Sequence, residues 1–234
     1  MTRRQKFTKG WLNLWLYVIL LISGIVLGVT AQNWHHWDLG TKAYALGTAL
    51  LPIHVMEEWK FPGGFHTMYN MMNQSNDVSR YPMNQLSDMW TNFIGVIFGC
   101  IVLLVGVNPV FLIIQLFICF AEMMGHLVAG SVFVRKTFGP YGKKPLYNPG
   151  QFTTIFGYIP DAVLIIIALV TTSHPAVWQI LIGIVCAFAL GSFSLDGIEK
   201  ICRDENSPYA YDWGNGYFEK WLKIKAEADA KTAE

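Results

Sequence analysis

Residues 11–31 read WLNLWLYVILLISGIVLGVTA, a run without a single charged side chain. A helix needs about 20 such residues to cross the hydrocarbon core of a bilayer. The cations Arg3, Arg4, Lys6 and Lys9 precede the run, as they would in a secretory signal peptide. The run is longer than the apolar region of such peptides, so we expect a retained transmembrane helix.

Five further runs have a similar length and composition, at about 40–58, 89–107, 109–134, 152–172 and 176–198. We expect all six runs to be helices, because an isolated strand would leave backbone donors and acceptors unpaired in lipid. The whole chain is 53% hydrophobic and only 14% charged, whereas soluble domains have about 25% charged residues. The sequence therefore predicts an all-α polytopic membrane bundle of about six transmembrane helices.

The cations are distributed unevenly between the two sides of this predicted bundle. If the N-terminus is cytoplasmic, every Lys and Arg except Lys42 falls in a cytoplasmic segment. The positive-inside rule then predicts that both termini face the cytoplasm, in a multi-pass protein of the cell inner (cytoplasmic) membrane.

The chain divides into a predicted six-helix transmembrane domain, residues 1–200, and a cytoplasmic tail, residues 201–234. Aromatic residues alternate with charges in this tail, which predicts an interfacial amphipathic helix; they are Trp213, Tyr217, Phe218 and Trp221. A partly ordered, solvated tail is the alternative.

Several functional classes lack support in the sequence. The net charge of +1 gives no basic surface for a nucleic-acid partner. The chain has no GxSxG, GxxxxGK[ST] or GxGxxG element for nucleophilic catalysis or phosphate binding. Its four cysteines form no CxxC pair, so neither a disulfide framework nor a thiolate metal site is expected.

The segment that carries the most chemistry is LPIHVMEEWKFPGGF at residues 51–65. At 100° per residue, Glu57 and Glu58 flank His54 on one face of the second predicted helix. The fourth predicted helix carries Glu122 and His126, again spaced i to i+4. A charged residue inside a membrane is costly, and it usually faces the bundle interior with a partner.

Both helices run in the same direction, and their polar residues lie at overlapping depths in the predicted topology. We therefore expect His54, Glu58, Glu122 and His126 to form one metal site, with Glu57 as the general base. The alternative is a hydrogen-bonded network that locks the helices together. Three further polar residues are expected near the same region, as cavity walls or outer partners: Asn92, Asp161 and Asp196.

Imidazole and carboxylate ligands suit a divalent metal, with zinc favoured and iron or manganese as alternatives. Two His and three Glu could hold two metals, as in carboxylate-bridged sites of helical bundles. They could equally hold one metal and leave one Glu as a base. The sequence does not separate these arrangements.

Residues 54–58 read H-x-x-E-E, and FPGGF follows at 61–65. Glu122, His126 and Tyr147-Asn148-Pro149-Gly150 come later in the chain. Together these motifs resemble the HXXEE-domain family of small bacterial integral membrane proteins. The resemblance covers about residues 40–200. It implies that Tyr147 and Asn148 belong to a motif loop, which shapes the start of the fifth helix or covers the mouth of a cavity.

The preferred functional hypothesis is a membrane-embedded metal-dependent enzyme, a hydrolase that acts on a lipid or another apolar small molecule. A di-iron oxidase or desaturase is the second enzymatic alternative. Buried acidic and His residues also mark proton and cation pathways, so a transport protein is the main non-enzymatic alternative. A membrane scaffold is the third reading. Membrane lipids are the expected surroundings, and the oligomeric state, a homo-oligomer included, is left open.

Overall fold

The computed structural model describes residues 2–144 and 146–233, and every regular element in this part of the chain is helical. This confirms the expected all-α class. In chain order the helices are α1 (Arg3–Leu12), α2 (Trp15–Gln32), α3 (Leu39–Trp59), α4 (Phe65–Met72), α5 (Gln85–Val105), α6 (Pro109–Tyr141), α7 (Gln151–Ser173), α8 (Val177–Cys202) and α9 (Glu219–Ala233).

Five helical segments in the described residues are long and apolar enough to cross a membrane: Arg3–Gln32, which joins α1 and α2, and then α5, α6, α7 and α8. Many of their apolar side chains face outward and are exposed, such as Leu104 and Val185. Large exposed apolar faces are unfavourable in water but suit contact with lipid. The helices therefore indicate a membrane protein.

The second predicted span, 40–58, forms helix α3, which is long enough to cross a bilayer but is not among the five apolar segments. It contacts α2, α5, α6 and α7, and most of its residues are buried. Its polar side chains therefore face protein rather than lipid. The count of six spans and the cytoplasmic placement of both termini stay predictions.

Two apolar clusters hold α3 in place. On one side, Trp15 and Ile19 of α2 pack with Val55 and Trp59 of α3. On the other side, Tyr44 of α3 belongs to a cluster that includes residues of α6 and α7: Leu112, Cys119, Tyr158 and Ile165. Because the buried side chains are close-packed, these clusters fix the position of α3 relative to α6 and α7.

The segment after α8 folds back against the helices instead of leaving them. Tyr211 is buried beside Trp59, and Trp213 packs on the same indole with ring centroids 5.2 Å apart. Further along, Phe218 stacks on Phe138 near the C-terminal end of α6. Residues 219–233 form α9, whose charged surface is largely exposed. The boundary at residue 200 and the interfacial role of the tail stay predictions.

Candidate metal centre

Two helices contribute the residues of a compact polar cluster. Helix α3 carries His54 and Glu58, and α6 carries Glu122 and His126, each pair at i to i+4 spacing. Nε2 of His54 lies 3.5 Å from Glu58 Oε1 and 3.2 Å from Glu122 Oε2. Nε2 of His126 lies 3.3 Å from Glu58 Oε1 and 3.4 Å from Glu122 Oε2. The structure thus brings together all four predicted ligands.

The spacing within the cluster suits a bound cation. His54, Glu122 and His126 each offer a ligand atom, and these atoms lie within 4.8 Å of one another. Around a tetrahedral ion with ligands at about 2.0–2.1 Å, neighbouring ligand atoms are roughly 3.3 Å apart. The measured nitrogen–oxygen distances are close to this value. Nε2 of His54 is buried without a hydrogen-bond partner among the described residues, so a cation would satisfy it.

Asn148 contacts the imidazole of His126 at the ring nitrogen that does not face the cluster. The side-chain oxygen of Asn148 lies 3.0 Å from Nδ1 of His126, and its amide nitrogen donates to the His126 carbonyl at 2.9 Å. These partners assign the proton to Nδ1, which leaves the Nε2 lone pair directed at the cluster. Outer partners of this kind orient metal-binding histidines and fix their tautomer.

The imidazole of His54 is held by a chain of two partners. Its Nδ1 lies 2.7 Å from the hydroxyl of Thr153, and this hydroxyl donates to Glu57 Oε2 at 2.6 Å. Because the Thr153 proton is directed at the carboxylate, the Thr153 oxygen accepts from Nδ1–H of His54. Glu57 therefore acts on His54 through Thr153, and the Nε2 lone pair again faces the cluster.

Glu57 is buried and accepts four hydrogen bonds, all from residues at or near the start of α7. Its Oε1 accepts from the Tyr147 hydroxyl at 2.8 Å and from the Phe152 N–H at 3.0 Å. Its Oε2 accepts from the Thr153 N–H at 2.8 Å and from the Thr153 hydroxyl. A carboxylate at a helix N-terminus satisfies amides that have no partner in the helix. These four bonds occupy the carboxylate, and the general-base role expected for Glu57 stays a prediction.

A protein family covers the part of the chain that contains these contacts. The family described as "Protein of unknown function with HXXEE motif" matches residues 45–165, more than half of the chain. The chain belongs to the HXXEE family. The five motif positions are residues 54–58, of which the His and the second Glu enter the cluster. No curated protein and no solved structure matches the chain.

The HXXEE cluster lies where α6 departs from regular α-helical geometry. Residues Met123–Gly130 of α6 form a π-helical stretch that contains His126. Such stretches are rare and frequently occur at functional sites. In the turn before α7, Gly150 adopts a left-handed conformation with φ +93°, and a Cβ at this position would lie 2.2 Å from Cε1 of His126. Only glycine allows the backbone to approach the imidazole so closely.

We expect Gly150→Ala to displace His126 and to lower metal affinity by at least about tenfold, since lost outer support typically costs 10- to 100-fold. Gly142→Ala is the matched control, because Gly142 has φ +88° but no heavy atom within 4 Å of its Cβ position. Titration of chelator-treated protein with zinc measures both variants. An equal loss of affinity in both would attribute the effect to backbone strain.

A cavity of about 310 Å³ adjoins the HXXEE cluster. Glu58, Glu122 and His126 form part of its wall. The remaining wall combines apolar residues, among them Phe65, Met68, Met72, Met83 and Leu195, with polar ones, among them Tyr69, Asp88, Asn92 and Glu199. The cluster therefore faces a space that could accept a small molecule.

The other predicted site residues have different surroundings. Asn92 lines the cavity and donates to Asp88 Oδ1 at 2.8 Å. Asp161 is not among the residues of the cluster or of this cavity wall; it accepts from Gln115 at 3.3 Å and from the Cys119 thiol at 3.5 Å. Asp196 is exposed and is not part of the cavity wall.

Sequence reasoning missed two polar residues of the site. Asp88 is buried at the cavity wall and accepts from the Trp59 indole and, at 2.7 Å, from the Tyr211 hydroxyl. Its i to i+4 spacing with Asn92 in α5 was an available signal. The role of Thr153 could not be predicted from the sequence, because threonine is common near helix N-termini. Thr153 also lies 99 residues after its partner His54 in the chain.

His66 of α4 lies outside the spans and gives the fold a pH dependence. Burial lowers the pKa of His66 to about 3, against a weaker opposing effect of a hydrogen bond with the Gly214 backbone. An unfolded histidine has a pKa of about 6.5. Between these values the unfolded chain binds a proton that the folded chain does not. This contribution to stability is therefore fully present above about pH 6.5 and is lost as the pH falls.

We expect the melting temperature in detergent to fall between pH 7.5 and 5.5, with a slope in unfolding free energy of up to about 1.4 kcal/mol per pH unit from His66. His66→Phe keeps a ring against Tyr211, on which His66 stacks with centroids 3.8 Å apart, and removes the titration. If the variant and the original protein lose stability equally on acidification, His66 does not carry this dependence.

Proposed function

We propose that the protein is a membrane-embedded metal-dependent hydrolase that acts on a lipid or another apolar small molecule. The observation that supports this most is the position of the His/Glu cluster at the wall of a cavity of about 310 Å³. A closed structural site would have no such opening, whereas catalytic zinc sites keep one position for water or substrate.

We assign His54, Glu122 and His126 as the ligands, because each offers a donor atom and these three atoms lie within 4.8 Å of one another. Two His and one Glu are a ligand set of catalytic zinc sites. A zinc ion, when bound, lowers the pKa of water and polarises a carbonyl or phosphoryl group. Iron and manganese accept the same donors.

Glu58 then takes the role of general base that was expected for Glu57. Its Oε1 lies within 3.3–3.5 Å of both Nε2 atoms, and Glu58 lines the cavity. A carboxylate at this position can remove a proton from water and pass it to a leaving group. Glu57, Thr153 and Asn148 act as positioning residues for the two imidazoles.

The test combines metal content with hydrolysis of fluorogenic esters and amides that carry acyl chains of different length. We expect purified protein to carry about one equivalent of divalent metal and to lose hydrolysis with a chelator. Glu58→Gln should keep the metal and lose hydrolysis, whereas Glu122→Gln should lose both. Hydrolysis that survives in Glu58→Gln would remove the base assignment, and a protein without metal would contradict the proposal.

A transport function has one specific observation in its favour. The Tyr158 hydroxyl and Asp161 Oδ1, both on α7, are buried without hydrogen-bond partners among the described residues. The ring of Tyr158 lies 5.1 Å from that of His54. Buried polar groups along a span can form a proton pathway. A metal-dependent pH change inside sealed vesicles that contain the protein, abolished by Tyr158→Phe, would favour transport over hydrolysis.

The cytoplasmic placement of both termini in the cell inner membrane is also our proposal, supported by the distribution of cations. In a background without cysteine, we expect a reagent that cannot cross the membrane to label His36→Cys, but not Glu227→Cys, in intact cells. After lysis it should label both. Labelling of residue 227 in intact cells would reverse the orientation.

A further inference from the structure

Four carboxylates line the cavity beside the HXXEE cluster: Glu58, Glu122, Asp88 and Glu199. Two of them belong to the cluster, where a divalent ion would neutralise their charge. The other two, Asp88 and Glu199, lie outside it. Both side chains therefore face whatever enters the cavity.

Neither of these outer carboxylates has a cationic partner among the described residues. Within residues 2–144 and 146–233, no ion pair joins Asp88 or Glu199 to a Lys, Arg or His. Asp88 accepts from indole, phenol and amide groups, and Glu199 accepts from the Tyr69 hydroxyl at 2.6 Å. The described residues of the cavity wall include no Lys or Arg. An anionic head group beside these two carboxylates would thus meet repulsion without a compensating Lys or Arg on the described wall.

The two outer carboxylates differ in their capacity for a ligand. Asp88 is 4% exposed, and both of its oxygens accept hydrogen bonds from the protein. Among the described residues Glu199 accepts on Oε2 only, and it is half-buried on the last turns of α8. Its Oε1 is the carboxylate oxygen that remains able to bind a donor. Met68, Met72 and Met83 supply an adaptable apolar wall nearby.

We propose that the cavity binds an apolar molecule with a protonated amine, and that Glu199 is the residue that selects this head group. This inference rests on the proposed function in one respect, the position of the bond that is hydrolysed. That bond would lie toward His126, and the amine would lie against Glu199. The apolar chain of the ligand then contacts the methionine side chains. Charge-assisted hydrogen bonds to a partly desolvated carboxylate are among the stronger polar contacts.

The test measures binding of dodecylamine and dodecanol to the full-length protein in a non-ionic detergent, by ligand-induced change in tryptophan fluorescence. We expect dodecylamine to bind at least about tenfold more tightly than dodecanol, as one charge-assisted hydrogen bond predicts. Equal binding of the two in the original protein would overturn the proposal, whatever the behaviour of variants.

Glu199→Gln should weaken dodecylamine binding by about tenfold and leave dodecanol binding unchanged. Glu205→Gln is the matched control, since Glu205 is exposed in the segment after α8 and is absent from the cavity wall. Equal effects of the two substitutions would overturn the role of Glu199. Because detergent partitioning of each ligand is the same for all variants, it does not affect these ratios.

Each measurement is repeated after treatment with a chelator, which separates this inference from the hydrolase proposal. We expect the preference for the amine to persist without metal, because Glu199 is not a member of the cluster. A protein that prefers the amine but hydrolyses no ester or amide would refute the hydrolase and retain the amine site. A protein that hydrolyses esters or amides but binds dodecylamine and dodecanol equally would refute the amine site and retain the hydrolase proposal.

Discussion

Glu57→Gln should lower the free energy of unfolding by about 3 kcal/mol. This is the largest stability change that we expect when one charged residue of this protein is replaced by an uncharged one. Each Glu57 oxygen accepts a backbone N–H, one from Phe152 and one from Thr153. A glutamine side chain has only one oxygen, so its NH₂ group must face one of these two buried donors. Lost charge-assisted bonds contribute about 1.5–3 kcal/mol each, and an unsatisfied buried donor adds to this cost.

Thermal melts in detergent, with Glu205→Gln as an exposed control, measure this effect. We also expect a 10- to 100-fold loss of metal affinity, because His54 depends on Thr153 and Glu57 for its orientation. A variant with unchanged melting temperature, unchanged metal affinity and no hydrolysis would instead restore Glu57 as the general base.

His126→Ala should reduce the bound metal from about one equivalent to less than about a tenth. His126 is 2% exposed, and its Nε2 approaches both Glu58 and Glu122. Without this nitrogen, the three assigned ligands are reduced to one imidazole and one carboxylate. Elemental analysis of purified protein provides the measurement.

His36→Ala is the control for that experiment, because His36 is exposed between α2 and α3. His126→Gln keeps more of the side-chain volume and serves if the alanine variant does not fold. Should either folded variant at position 126 retain a full equivalent of metal, the ion must bind elsewhere in the chain.

The sequence was informative about the cluster for a physical reason. His54 with Glu58, and Glu122 with His126, each lie one helical turn apart, and a helix places such pairs on one face. Charged residues within apolar helices must also avoid lipid, which directs both faces toward the bundle interior. These two local rules predict a meeting of the pairs without any knowledge of the tertiary structure.

The rest of the site depends on contacts that local spacing does not encode. Glu57 lies 100° around the helix from Glu58, which separates the two carboxylates but does not show that Glu57 meets the start of α7. Thr153, Asp88 and Tyr211 reach the site through packing between distant segments. The resemblance to the HXXEE family singled out Tyr147 and Asn148, which contact Glu57 and His126, although it did not imply those contacts.

X-ray absorption spectroscopy of the metal that copurifies tests the central claim most directly, because it reports the atoms that surround the ion. We predict one equivalent of a divalent metal bound by two imidazole nitrogens together with carboxylate oxygen, at about 2.0–2.2 Å. His126→Ala should remove the signal, and His36→Ala should leave it unchanged. A protein that carries no stoichiometric metal, or a metal bound by sulfur, would contradict the account.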